Sequence, residues 1–240
     1  MSTRPAAYAD LLPASKVLAK AFRDEFLLGQ WMHPHNKEYP DDLYLYFLHK
    51  LRTGYVGGPG NATFVSYKTN ANGEEQITGL AHWQRKPPSS DWYTTSKVKA
   101  MEWYNYLESF VYPNRAADPS RLGVLGETWP FMEHFWSGTR AEVWDLALLG
   151  VNPDEGGQGF GKALVKWGFE KAKEEGVGCS VVASDGKEGF YKSCGFEMVG
   201  TVRDEGGEKN PMVKNQIIGG AILFWDNERD TSGVKRYGEN

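Results

Sequence analysis

Cysteine is nearly absent: Cys179 and Cys194 are the only two in 240 residues. Two thiols permit one bond at most, so a disulfide framework is excluded, and their spacing fits no zinc site. No stretch approaches the roughly 20 apolar residues that a membrane-spanning helix needs. The first residues, Met1-Ser2-Thr3-Arg4-Pro5, lack the apolar core of a signal peptide. Charge of one sign is also scarce, with 27 Lys and Arg against 31 Asp and Glu for a net charge of −4. A nucleic-acid surface would need clustered basic side chains. No internal repeat or low-complexity tract occurs. The expectation is a soluble, cytoplasmic protein, monomeric or homodimeric, that binds neither nucleic acid nor membrane and holds no metal.

What is present suits one folded body. Hydrophobic residues make up 40% and charged residues 24%, as in ordinary globular proteins. The length fits a single domain over 1–240, with an aromatic-rich helical insertion at about 87–140. Leu11, Ala14, Leu18, Ala21 and Phe22 share one face of a helix over Ala9 to Phe22. A second helix is expected from Asp42 to about Tyr55, its buried stripe formed by Tyr44, Phe47, Leu48 and Leu51, with Asp41 or Asp42 near its cap. Gly29 to Pro40 between them reads as a loop. Ala62–Tyr67 and Gln76–Trp83 read as two antiparallel strands joined at Asn72-Gly73, a dipeptide suited to a tight hairpin turn.

The insertion combines a helical stretch, Lys97 to Phe110, with the run Trp129-Pro130-Phe131-Met132-Glu133-His134-Phe135-Trp136. It is too apolar for a disordered linker, so most of its rings are expected to pack on the body. Val143 to Val151 follows, apolar except for Asp145 and Gly150, as a central strand covered on both faces would be. Lys162 to Glu175 is an amphipathic helix with Leu164, Trp167 and Ala172 inward, ended by Gly176. Cys179 to Ala183 is a short buried strand, parallel to the first by the right-handed crossover rule. A short helix near Gly189–Ser193, then strands Phe196–Arg203 and Gln216–Trp225, complete the sheet.

Between the central strand and its helix lies Asn152-Pro153-Asp154-Glu155-Gly156-Gly157-Gln158-Gly159-Phe160-Gly161-Lys162-Ala163-Leu164. Four glycines in six residues let backbone N–H groups turn inward, and the helix N-terminus adds partial positive charge. Such a turn suits a pyrophosphate. Gly156 to Lys162 fits G-x-x-x-x-G-K, but Ala163 stands where a P-loop needs Ser or Thr for magnesium. The dinucleotide fingerprint fails as well, because Lys162 occupies the place of its third glycine.

Val151-Asn152-Pro153, Gly157-x-Gly159-x-Gly161 and Ala163-Leu164 together resemble motif A of the GNAT acetyltransferases. Ala183-Ser184-Asp185-Gly186, followed by Phe190-Tyr191-x-x-x-Gly195-Phe196, resembles that family's motif B. The resemblance spans roughly Val143 to Val199, and the insertion makes the chain look most like fungal small-molecule members. The family usually has Gln or Arg where this chain has Gly156. The resemblance implies a mixed α/β (α+β) GNAT fold: a mostly antiparallel twisted sheet, a parallel splay between its fourth and fifth strands, and helices on both faces.

It also implies acetyl-CoA as cosubstrate. A β-bulge at Leu148-Leu149-Gly150 would drive the splay. The backbone of Leu149 and Val151 would hold the pantetheine arm, the Leu149 N–H would face the thioester oxygen, and the amides of Gln158, Gly159, Phe160, Gly161 and Lys162 would take the pyrophosphate. Ser184 would contact the cofactor too. Tyr191 stands where similar enzymes keep the acid that protonates the leaving thiolate. Three residues are candidates for the base: Asp145, which interrupts an apolar strand; His82, near the end of the third strand; and Glu142. The reaction so implied is acetyl transfer to the primary amine of a small molecule by direct attack. A peptide, protein or polyamine acceptor and a non-catalytic CoA-binding regulatory module are the alternatives.

Overall fold

The computed structural model describes residues 2–88 and 91–239. Seven strands form one sheet in the order β1-β2-β3-β4-β5-β7-β6: β1 Ser2–Pro5, β2 Asn61–Thr69, β3 Glu75–Lys86, β4 Val143–Val151, β5 Gly178–Ala183, β6 Glu197–Thr201 and β7 Ala221–Trp225. Every neighbouring pair is antiparallel except β4 and β5, which run parallel. The mixed α+β class and the parallel central pair expected from the sequence are therefore present.

Helices cover both faces. One face carries α1 (Leu11–Phe22) and α2 (Leu43–Tyr55), which bury Leu18, Phe47 and Leu51 against Val65 and Leu80. α3 (Trp92–Val111) lies outside α2, and α4 (Val124–Met132) extends the same layer over β7. The opposite face carries α5 (Phe160–Glu175) and α6 (Glu188–Cys194), packed on Trp83, Trp144, Leu146 and Val181. A short α7 (Pro211–Lys214) precedes β7. α5 approaches so closely that a Cβ at Gly168 would lie 2.3 Å from the Trp83 ring. Its amphipathic stripe and the left-handed Gly176 after it, at φ +67°, follow the sequence pattern.

Several local expectations are corrected. Ser2–Pro5 is an edge strand on β2, which four residues ending in proline did not signal. Part of the Gly29–Pro40 segment is a π-helical turn, Phe26–Trp31, whose entry is fixed by the Glu25 carboxylate accepting the Leu28 N–H at 2.6 Å. The β2–β3 turn is wider than two residues: Asn70 Oδ1 accepts the N–H groups of Asn72 and Glu74, both at 2.9 Å. Only Gly73 takes a positive φ there, +82°. Asp42 does stand at the N-cap of α2, as expected, but its carboxylate makes no cap bond and pairs with Arg115 at 2.7 Å. The final strands are shorter, because Gln216, Gly219 and Gly220 have positive φ and carry a turn.

The rings of the insertion divide into two groups. Trp136 and Met132 are buried over β7, but α3 touches the body through polar groups, with Glu108 on Arg52 at 2.5 Å and Asn105 on the His49 carbonyl at 3.1 Å. Trp103 and Phe110 remain 64% and 68% exposed. The expectation that most of these rings pack on the body fails for this helix. No helix among the described residues is long and apolar enough to cross a membrane.

Candidate active site

β4 is paired along one side and open along most of the other. It bonds β5 only at Val143↔Gly178, Trp144↔Cys179 and Asp145↔Ser180, while its register with β3 continues to Gly79↔Val151. Its register shifts where His82 faces Leu148 and Trp83 faces Leu146, leaving Ala147 unopposed. The bulge thus sits at Ala147, just before the Leu148-Leu149-Gly150 segment where the sequence reading put it. One extra residue bends a strand and reverses the alternation of its side chains. Leu146 and Leu149 both pack toward α5, whereas Leu148 and Gly150 face α1. A Cβ at Gly150 would lie 2.6 Å from Leu18, so α1 presses directly on the strand there.

Backbone direction follows from the same register. The Asn152 N–H donates to the Thr78 carbonyl at 2.7 Å, and antiparallel neighbours alternate between bonded and non-bonded pairs. Leu149 and Val151 therefore turn their N–H and C=O groups away from β3, into the gap where β5 has diverged.

The glycine loop closes the top of this gap. It begins with a 3-10 turn, Pro153–Glu155, capped by Asn152, whose side chain accepts the Asp154 N–H at 3.2 Å. Gly156 donates to the Pro153 carbonyl at 3.1 Å. From Gly157 to Lys162 the six N–H groups find no acceptor among the described residues. Gly157 and Gly159 stand at φ +74° and +82°, a region costly for any residue with a Cβ. Unpartnered amides at the N-terminus of a 16-residue helix form an anion cradle. Gly156 has φ −60° and ψ 153°, open to any residue, so its departure from the family pattern leaves the cradle backbone unaffected. The neighbouring carboxylates are drawn aside, Asp154 by Lys20 at 2.5 Å and Glu155 by Lys68 and Gln158.

α6 stands beside this cradle: a Cβ at Gly161 would lie 3.0 Å from the Phe190 ring. Tyr191 is buried in the α5-side core against Phe190 and Phe196. Burial, and next the Cys194 thiol, hold its phenol above the ordinary value. Its hydroxyl has no hydrogen-bond partner among the described residues. Ser184 begins the turn into α6, its carbonyl accepting the Lys187 N–H at 3.1 Å. Cys179 and Cys194 are both free thiols.

The three base candidates occupy different surroundings. Asp145 lies at the last paired position before the strands separate, on the face opposite α5. Its Oδ1 accepts the Ser180 hydroxyl at 2.5 Å, and Ser180 Oγ in turn accepts the Trp136 indole N–H at 3.0 Å. Its Oδ2 is 3.2 Å from Lys86 Nζ. His82 is enclosed beneath α2, where a Cβ at Gly54 would lie 2.5 Å from its ring, and its Nδ1 is 2.8 Å from Thr63 Oγ1. Burial, helped by the charge of Lys50, pushes it down to about 4. Glu142 lies ahead of β4, its side chain 62% exposed and paired with Arg85 at 2.8 Å. Asp145 thus lies where the strands part, His82 pairs with Leu148 at the bulge with its ring enclosed beneath α2, and Glu142 lies ahead of β4. Sequence reasoning did not find Ser180 or Lys86, and it offered Trp129 and Trp136 only as members of an aromatic run, some of whose rings could line a substrate pocket. A buried serine in an apolar strand was the one available signal, since the others meet only through tertiary contacts. No cluster of three or more metal-ligating side chains occurs among the described residues.

Comparison with known proteins agrees with this geometry. A family model described as an acetyltransferase (GNAT) domain matches residues 126–198, which include β4, the glycine loop, α5, β5 and α6. The chain is similar to a solved structure of histone acetyltransferase HPA2 and related acetyltransferase from Corynebacterium glutamicum. The identity is 17%, the match covers 96% of this chain and 98% of that one, and the TM-score is 0.56. It is also similar to the PaiA N-acetyltransferase of Thermoplasma acidophilum in complex with coenzyme A, at 10% identity, 94% and 98% coverage and a TM-score of 0.49. A search of curated proteins found no match. The matched segment is the one in which the splayed strands and the unpartnered amides lie, so this part of the chain is similar to a GNAT acetyltransferase domain and the chain as a whole shares the fold of the Corynebacterium structure.

Proposed function

We propose that this chain, acting as one domain over residues 1–240, transfers acetyl from acetyl-CoA to the primary amine of a small molecule by direct attack. The observation that carries the reading is the end of β4–β5 pairing at Asp145 and Ser180, with six free amides at the head of the opened gap. The cosubstrate supplies an activated acetyl thioester. Its pyrophosphate fits the amides of Gly157 to Lys162, and its amide-bearing arm fits the unpaired edge of Leu149 and Val151. Gly156 closes the turn before these amides by donating to Pro153, and Ser184, directly after β5, would contact the cosubstrate as well. The Leu149 N–H would be the donor for the thioester oxygen, where charge develops during attack. The aromatic rings near Asp145 favour an enclosed small amine over an extended peptide.

Asp145 takes the proton that the ammonium must lose before its nitrogen can bond to the acetyl carbon. Ser180 holds the carboxylate in orientation. His82 is enclosed beneath α2, and Glu142 is committed to Arg85, so neither enters the assignment. Tyr191 returns a proton to the departing thiolate. A phenol is less acidic than a thiol of pKa about 8.5, so this transfer runs uphill and contributes modestly. Tyr191→Phe is expected to lower kcat about tenfold with an unchanged acetyl-CoA dissociation constant. Unchanged thiol release across the pH range would remove Tyr191 from the reaction.

Titration calorimetry with acetyl-CoA, followed by thiol release against a panel of primary amines, tests the whole reading. Binding with amine-stimulated release is expected. Binding without release for any amine would favour a regulatory module, and no binding would overturn the proposal.

A further inference from the structure

Lys86 is the last residue of β3, and its side chain ends between two indoles. Its Nζ lies 4.9 Å from the Trp129 ring centroid, 4.8 Å from that of Trp136 and 3.2 Å from Asp145 Oδ2. The two rings are 5.1 Å apart and tilted by 40°. An ammonium over aromatic faces with a carboxylate at its end is a complete recognition site for a primary alkylammonium ion.

The walls of this box are fixed without Lys86. The Trp136 N–H donates to Ser180 and the Ser180 hydroxyl to Asp145, which sets the indole and the carboxylate through partners on other elements. Lys86 itself is a loose member. Its side chain is 26% exposed, Asp145 is its one ionic partner among the described residues, and it stands at the end of its strand. A lysine stem has four rotatable bonds and can swing its ammonium into water at small cost. The box would then stand open at the point where β4 and β5 separate.

We propose that the Trp129–Trp136–Asp145 box is the ammonium subsite for the acceptor, filled in the free protein by Lys86 as an internal placeholder. The inference rests on the acetyl-transfer reading above for the acceptor role, though not for the box itself. The acceptors it selects are primary alkylammonium compounds with an unbranched stem, since that is the shape Lys86 presents. An entering alkylammonium displaces Lys86 and first gives one proton to Asp145, which frees the nitrogen lone pair to form the C–N bond; the nitrogen loses its second proton as the C–S bond breaks, balancing the one taken up by the departing thiolate, and CoA leaves as the thiol.

The test uses n-butylamine, which reproduces a lysine side chain from Cβ outward. Lys86→Ala is expected to bind n-butylammonium at least tenfold more tightly than the wild type, read from the Trp129 and Trp136 indole resonances by NMR. Neutral n-butanol should leave those resonances unmoved. With acetyl-CoA, Lys86→Ala should form N-butylacetamide with a kcat/KM at least tenfold above wild type, and Lys86→Ala/Trp129→Ala should lose both effects. Should Lys86→Ala not fold, Lys86→Met keeps the stem, removes the charge and is expected to shift both readouts the same way. Equal binding by wild type and variant overturns the placeholder. Butylammonium binding without acetylation, in protein that binds acetyl-CoA by calorimetry, overturns the acceptor role. Failure to bind acetyl-CoA at all overturns the acetyl-transfer reading and the acceptor role with it, while the titration still decides on the box.

Discussion

Asp145→Asn is expected to lower kcat/KM for an amine acceptor roughly 10²–10⁴-fold at neutral pH, the range for a lost general base, with acetyl-CoA binding unchanged. Asparagine keeps the shape of the side chain and can still accept the Ser180 hydroxyl, so the Trp136–Ser180 contacts persist and the change isolates charge and basicity. The CoA-side features lie elsewhere: the amides of Gly157 to Lys162 and the edge of Leu149 and Val151 owe nothing to the carboxylate. A rescue with pH should accompany the defect. An alkylamine loses its own proton near pH 10, and an amine arriving without that charge depends less on the anion that attracts it. The ratio of wild-type to variant rates should therefore shrink as pH rises from 7 toward 10. Thiol release at several pH values measures this, with circular dichroism to establish the fold. A variant within threefold of wild type at pH 7 would take Asp145 out of the proton path.

What the chain made legible was the part written in local pattern. Val143 to Val151 announces a covered strand because its apolar run is continuous, and the glycine spacing announces the cradle because Gly157 and Gly159 need positive φ. Asp145 was visible as the one charge inside that run. The bulge was located to within a residue or two, but its position at Ala147 depends on register with β3, which no local signal fixes. The Lys86–Trp129–Trp136–Ser180 assembly was invisible for a stronger reason. Its members come from the end of β3, from α4, from the turn after α4 and from β5, up to 94 residues apart in sequence (Lys86 to Ser180), and meet only when the insertion folds back over β7. α3 misled in the other direction. Its aromatic content suggested core, yet its docking groups are Asn105 and Glu108, and the rings point outward. Composition reports how much apolar surface a segment has, while packing decides which side of it is covered.

Histidine 82 should make the fold sensitive to acid in a way that can be isolated. In the unfolded chain a histidine titrates near 6.5, whereas burial beneath α2 and the charge of Lys50 push His82 down to about 4 in the folded protein. Between those values the unfolded chain binds a proton that the folded one refuses. Stability is therefore full above about pH 6.5, falls as pH drops toward 4 and levels off below it. The gap corresponds to a loss on the order of 3 kcal/mol. His33, also lowered chiefly by burial, acts with the same sign, and carboxylates contribute at the acid end. Their effects cancel in a comparison with His82→Gln, which fills similar space, can still bond Thr63 and does not titrate. Urea unfolding at pH 7, 5.5 and 4 should show the wild type losing about 3 kcal/mol more than the variant over that interval. Parallel stability curves would mean that His82 does not carry the transition. The same enclosure bears on catalysis, because α2 closes off the ring. An activity profile that tracks the unfolding curve below pH 6 is the signature expected of acid unfolding through His82.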